Sequence, residues 1–324
     1  MNRYGGFRMK VLRTPDTCFD SLPGYEFEPH YVEVPAGDGS NSALRVHYLD
    51  EGPWSSGGAS APRPNEVVVL LHGELSWSYL YRKIVLALVS EGFRVIAPDL
   101  VGFGRSDKPA ARTDYTYART VEWMRAALFD HLQLEGITMV GHDWGGLVGL
   151  RLLTDQPARF RRVVLTNTAF PTGDELPSLA FLDYQKLVQE ITHLPVGRLV
   201  ASACTKTVAD EVKAAYDAPF PDESYKEGTR QLAFLVPTSI DNPATAENRR
   251  AWEVLSKLDT PFLCAFSDSD PVTKGFDRRF VESVPGAQGQ PHVTIADSGH
   301  FVQEDNPRAL TSAVVDFVRL NPVI

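Results

Sequence analysis

The chain has 324 residues, of which 43% are hydrophobic and 23% charged, with a formal net charge of −9. That length accommodates a large core, either as one α/β domain with an insertion or as two domains. The acidic balance, with no clustered Lys/Arg stripe, argues against nucleic acid and anionic membrane as partners, and no apolar run approaches the roughly 20 residues needed to span a bilayer.

The basic start, residues 1–10, lacks the apolar core of a signal peptide, so the expected location is the cytoplasm, with Met9 an alternative start. Strands are predicted at 30–34 and 44–49. A Gly/Ser/Pro-rich stretch, 52–64, reads as an exposed flexible loop. A buried strand at 66–71 runs into His72-Gly73-Glu74. An amphipathic helix over 79–91 stops at Gly92, and a strand at 94–97 enters a turn over 98–106. A helix over 120–132 leads to an apolar strand at 137–140, and residues 147–153 read as the start of the next helix. A strand at 162–166 follows. This alternation predicts a mostly parallel, doubly wound sheet.

The pattern changes after Pro171. From 172 to about 248 the segments are mostly helical and rich in proline, and strands return only at 261–266 and 292–295. The expected organisation is a sheet core, 1–171 and 251–324, interrupted after its sixth strand by a helical cap, 172–250. The three cysteines, Cys18, Cys204 and Cys264, are odd in number and far apart, so they give no disulfide framework and no metal spacing.

Gly141-His142-Asp143-Trp144-Gly145-Gly146 carries the chemistry. A strand, a tight turn ringed by glycines and a helix make a nucleophile elbow. The apex residue is driven toward disfavoured backbone angles, and a Cβ on its neighbours would clash. Here the apex is Asp143, not serine. A carboxylate there attacks carbon and forms an ester that water must cleave. Asp270 and His300 lie just beyond the last two strands. The order nucleophile, acid, histidine is that of an α/β-hydrolase, and all three fall where open α/β sheets hold ligands. Asp268 competes with Asp270 for the acid role; the position before Pro271 favours Asp270. His300, paired with Asp270, would activate water, and the backbone N–H groups of Glu74 and Trp144 would hold the oxyanion. His72 reads as a packed turn residue. The Glu74 side chain reads equally as a positioner of the hydrolytic water or as a solvated loop glutamate.

These residues resemble the haloalkane dehalogenases, specifically the subfamily with glutamate after the His-Gly turn. The resemblance covers nearly the whole chain. It includes Val11 to Asp16, His72-Gly73-Glu74 with Trp77 to Lys83, Asp99 through Gly104 to Pro109, Ala218 to Asp222, Gly228 with Arg230, and Gly299 to Glu304. It implies an apolar pocket between core and cap, a small halogenated substrate, halide as product, no metal and no cofactor, and an activity suited to detoxification. It also implies that the Trp144 indole N–H receives the halide, chemically sensible because the indole is a donor with no acceptor.

One departure stands out. The subfamily carries a second halide-holding tryptophan in its cap, and none of Trp54, Trp77, Trp123, Trp144 and Trp252 falls there. Tyr184 occupies the corresponding place, with Phe181 one turn earlier facing the same pocket. Leu75 also replaces a usual proline. Three competitors follow. An epoxide hydrolase shares the elbow and uses cap tyrosines as oxygen donors, for which Tyr184, Tyr216 and Tyr225 are candidates. A haloacetate dehalogenase would want a cation where Trp144 stands. A non-catalytic binding protein on the same fold is opposed by the intact Asp143, Asp270 and His300 set.

Overall fold

The structure is a computed structural model that describes residues 8–52 and 66–322. Most of the stretch expected as a flexible loop, and Trp54 within it, lie outside the described residues. Eight strands form one sheet: β1 (His30–Pro35), β2 (Ala43–Glu51), β3 (Val67–Leu71), β4 (Arg94–Pro98), β5 (Ile137–His142), β6 (Phe160–Thr166), β7 (Phe262–Ser267) and β8 (Val293–Ile295). Their order across the sheet is β8-β7-β6-β5-β3-β4-β2-β1. The pairs β1/β2 and β2/β4 are antiparallel, and all the others are parallel. This is the α/β-hydrolase fold expected from the sequence.

The central strands β3, β5 and β7 are buried at every residue. That is why they read as unbroken apolar runs: a parallel strand has helices over both faces. Helices α1 (Arg82–Ser90) and α11 (Pro307–Leu320) pack together, while α3 (Trp144–Asp155) packs on β5 and β3 and takes α2 (Tyr117–Arg125) and α8 (Thr245–Leu255) against itself. Between β6 and β7 the chain forms α4 (Leu179–Glu190), α5 (Val196–Ser202), α6 (Asp210–Asp217), α7 (Glu227–Leu235) and α8. Among the described residues it has no strand there. Helix α4 packs on α7, and α5 on α6. The remaining helices are α9 (Phe276–Ser283) and the single turn α10 (Val302–Asp305).

Three helix boundaries differ from the sequence expectation. The helix expected over 79–91 opens as a 3-10 turn, Ser78–Tyr81, because the Ser78 N–H donates to buried Asp99 and pins the entry. The helix expected over 120–132 starts at Tyr117, where the Thr116 hydroxyl caps the Arg119 N–H, and widens into a π-turn over Ala126–His131. Helix α3 begins at Trp144, immediately after Asp143, rather than at 147. Low propensity of the paired glycines hid that first turn.

Strands β3 and β5 are neighbours in register, Leu71 opposite Gly141. The loops that leave them, carrying Glu74 and Asp143, therefore emerge side by side at the sheet's C-terminal edge.

Candidate active site

Asp143 sits at φ 49°, ψ −122°, a conformation few side chains adopt. The surroundings hold it there. Its N–H donates to the Asn167 carbonyl at 3.1 Å. Its carbonyl accepts from Gly146 N at 2.9 Å and from the Thr168 hydroxyl at 2.7 Å. A Cβ on Gly145 would collide with the Leu71 carbonyl, and one on Gly146 with the Thr168 side chain. The glycines thus let helix α3 start flush against the β3 strand.

The Asp143 carboxylate is gripped from one side and open on the other. Its Oδ1 accepts from the Glu74 N–H at 2.7 Å. Its Oδ2 lies 3.8 Å from Nε2 of His300. The Trp144 N–H is the first of α3, and the leading N–H groups of a helix have no partner within it. His72 is spent on the backbone: Nδ1 bonds the Gly73 carbonyl at 2.8 Å and Nε2 accepts from Leu100 N at 2.9 Å.

Nδ1 of His300 lies 3.0 Å from Oδ2 of Asp270. Asp270 also accepts from Val272 N at 2.9 Å and from the Thr273 N–H and hydroxyl. Burial pushes the Asp270 carboxyl up, but the charge and hydrogen bond of His300 outweigh it and hold the carboxyl well below the usual range. Burial likewise opposes a charged His300, yet Asp270, with Asp143 adding to it, pushes the imidazole up to about 9. Asp268 faces elsewhere. It accepts from Asp297 N at 3.1 Å and Ser298 N at 3.2 Å, fixing the loop that carries His300.

Above these groups is a cavity of about 480 Å³, lined among others by Glu74, Asp143, Trp144, Phe181, Tyr184 and His300. A second, narrower and more apolar cleft shares Asp143 and Phe181 with it. The Trp144 indole Nε1 is buried and has no hydrogen-bond partner among the described residues. A buried donor left in that state costs about 1–3 kcal/mol, so it fits an acceptor that arrives with a ligand.

Tyr184 lines this cavity from α4, as does Phe181, but its hydroxyl already donates to Oε1 of Glu74 at 2.7 Å. Glu74 is therefore not a solvated loop residue; it is 6% exposed. Burial, and then the charge of Asp143, push its carboxyl well above the ordinary glutamate value. Tyr216 donates to Glu304 at 2.6 Å, and neither it nor Tyr225 lines the cavity. Among the described residues no cluster of three or more His, Cys, Asp or Glu is arranged to hold a metal ion.

Two residues that sequence reasoning passed over tie the site together. Asn167, fully buried after β6, donates through Nδ2 to the carbonyls of Gly299 (3.0 Å) and His300 (2.8 Å), and its Oδ1 accepts from Ser267 N at 2.9 Å. His142 bonds the same His300 carbonyl at 2.9 Å. The position of Asn167 at the C-terminal end of a central strand was the available signal.

Known proteins share this arrangement of the chain. A family model described as the alpha/beta hydrolase fold matches residues 66–307. A haloalkane dehalogenase of Psychrobacter cryohalolentis is 52% identical over 97% of this chain and 100% of its own length. One from Mycolicibacterium paratuberculosis is 43% identical over 95% of this chain and 98% of its own. Among solved structures, the tetrameric haloalkane dehalogenase DpaA of Paraglaciecola agarilytica NO2 superposes with a TM-score of 0.85 at 33% identity, covering 98% of this chain and 100% of that one.

Proposed function

The chain belongs to the haloalkane dehalogenases, hydrolases of the α/β-hydrolase fold that act on carbon–halide bonds, and we propose that it works by double displacement through an ester on Asp143. In the first step a carboxylate oxygen of Asp143 attacks the halogen-bearing sp³ carbon. The C–O bond forms as the carbon–halogen bond breaks, and the halide leaves with the bonding pair toward the Trp144 indole N–H. In the second step Nε2 of His300, oriented by Asp270, takes a proton from water. The resulting hydroxide adds to the ester carbonyl, whose oxygen draws charge into the N–H groups of Glu74 and Trp144. Collapse expels the alcohol, protonated from the imidazolium, and restores Asp143. Haloalkane and water become alcohol, halide and a proton.

The balance closes with side chains and water alone, so the reaction is cofactor-independent. The observation that carries the reading is the buried Trp144 indole N–H, which has no partner among the described residues and lines the same cavity as Asp143. The expected substrates are small and apolar, held against Phe181 and the face of Tyr184, with helices α4–α7 acting as a cap over the core. A cytoplasmic, detoxifying role suits such a substrate. Among the described residues no helix is long and apolar enough to cross a membrane.

The test is halide release from a panel of chloro- and bromoalkanes, run beside diol formation from styrene oxide. Halide and alcohol in equal amounts are expected. Diol without halide release from any haloalkane overturns the reading.

A further inference from the structure

Tyr184 stands where a halide-holding tryptophan is expected, yet a phenol has one proton to donate. Here that proton goes to Oε1 of Glu74 at 2.7 Å. The bond joins α4 to the loop after β3 directly over Asp143, whose Oδ1 is held by the N–H of the same glutamate at 2.7 Å. Tyr184, Glu74 and His300 all line the same cavity. The Trp144 indole N–H, without a partner among the described residues, remains available for an arriving acceptor.

We infer that Tyr184 is a positioning residue for Glu74 in ester hydrolysis, and not a ligand of the departing halide. This rests on the double-displacement reading. The Glu74 side chain is a carboxyl that lines the same cavity as the nucleophile and the base and is not itself bonded to either, so it is an acceptor able to orient a water between them. Held by Tyr184, it points into the cavity in one direction.

The charge states follow the covalent state. In the free enzyme burial and the negative Asp143 both disfavour an ionised Glu74. Alkylation turns Asp143 into a neutral ester and removes the second of these. The Tyr184 hydrogen bond favours the Glu74 anion, as does the backbone of Ala233 on α7. Glu74 therefore becomes a better acceptor for water once there is an ester to hydrolyse. The titratable groups that share the cavity with it are Asp143, Asp183, Tyr184 and His300.

The experiment measures alkylation and ester decay separately by rapid quench with a bromoalkane, together with bromide affinity from tryptophan fluorescence. Tyr184→Phe is expected to slow ester decay about 10-fold or more, while alkylation and bromide affinity change less than about 2-fold. Glu74→Gln, which keeps the packing and approaches the bond from the other side, is expected to slow the same step. The double variant is expected to lose no more than the worse single one, as partners in one interaction should. Slower alkylation or weaker bromide binding in Tyr184→Phe, with ester decay unchanged, overturns the inference in favour of a halide ligand. An equal loss in both steps overturns it in favour of a structural role. His300→Ala is the control: an alkyl adduct there but normal decay in Tyr184→Phe defeats only the role of Tyr184, whereas no adduct on His300→Ala defeats the double-displacement reading beneath it.

Discussion

Nε2 of His300 lies 3.8 Å from Oδ2 of Asp143, too far for a hydrogen bond, while its Nδ1 is held at 3.0 Å by Asp270. Base and nucleophile are thus neighbours that feel each other's charge without a hydrogen bond between them. On the proposed mechanism, Asp143 needs no help from His300 to attack carbon, since it attacks as a carboxylate. His300 matters only when water must lose a proton.

His300→Ala should therefore alkylate and stop. Incubated with a bromoalkane, it is expected to gain the mass of one alkyl group, mapped to the peptide holding Asp143, and to release one equivalent of bromide. An unmodified mass after bromide release points to a mechanism without the ester.

The two steps should also part in their dependence on pH. Ester decay requires neutral His300, whose value in the free enzyme is raised from 6.5 to about 9. Burial lowers it, while Asp270 and then Asp143 raise it. Alkylation erases the charge of Asp143, so the value in the ester intermediate must fall below the free-enzyme one. The rate of ester decay is expected to rise with pH and level off through a single ionisation that lies below about 9. Rapid-quench rates at pH values up to that limit check it, and a rate that falls as pH rises contradicts it.

Replacing Trp144 by Phe keeps the ring, which packs edge-on against Tyr117 at 5.0 Å between centroids, and deletes the donor. A hydrogen bond to a charged group contributes roughly 1.5–3 kcal/mol. Dehalogenation should slow by about 10- to 150-fold if that bond forms chiefly as the halide departs. The loss should fall on alkylation, read as the bromide burst, and leave ester decay alone. An unchanged burst in a folded variant shows that the indole only packs.

What could be read in the sequence followed the physics of each element. Parallel strands covered on both faces announce themselves as apolar runs, so β3, β5 and β7 were legible, as was the elbow, whose glycines stand at fixed offsets from the apex residue even though the contacts that demand Gly145 and Gly146 come from Leu71 and Thr168. Asp143, Asp270 and His300 were legible because each follows a strand, and strand ends converge. The partner of Tyr184 was not. Its hydroxyl meets a glutamate 110 residues earlier in the chain, across a helix packing that no local pattern encodes. Asn167 escaped for a related reason: its importance lies in three backbone partners, two from the loop carrying His300 and one from the end of β7, and a lone asparagine after a strand is unremarkable by itself. The Arg82–Glu304 ion pair is an intermediate case. It joins two stretches that carried the family resemblance, yet nothing in either stretch announces the other.

Gly73 offers a test of the geometry that needs no assumption about protonation. Its φ is not in the left-handed region, so alanine is permitted by the backbone there. A Cβ at that position, however, would run into the Cβ, Cγ and Oδ1 of Asp143. Either the carboxylate swings away or the loop after β3 retreats, and in both cases the bond from the Glu74 N–H to Oδ1 is broken. Overpacking of this kind costs about 1–3 kcal/mol, small enough for the fold to survive. Gly73→Ala is therefore expected to melt cooperatively within a few degrees of wild type, to lose at least about 100-fold in bromide release, and to take up no alkyl group even when combined with His300→Ala. Gly92 is the counterpart: it has φ +91°, and among the described residues nothing lies within 4 Å of where a Cβ would sit, so Gly92→Ala should cost stability through backbone strain and leave turnover intact. A Gly73→Ala variant that still alkylates at the wild-type rate means that the carboxylate has another productive position, and the grip of Glu74 on Asp143 is then not what places the nucleophile.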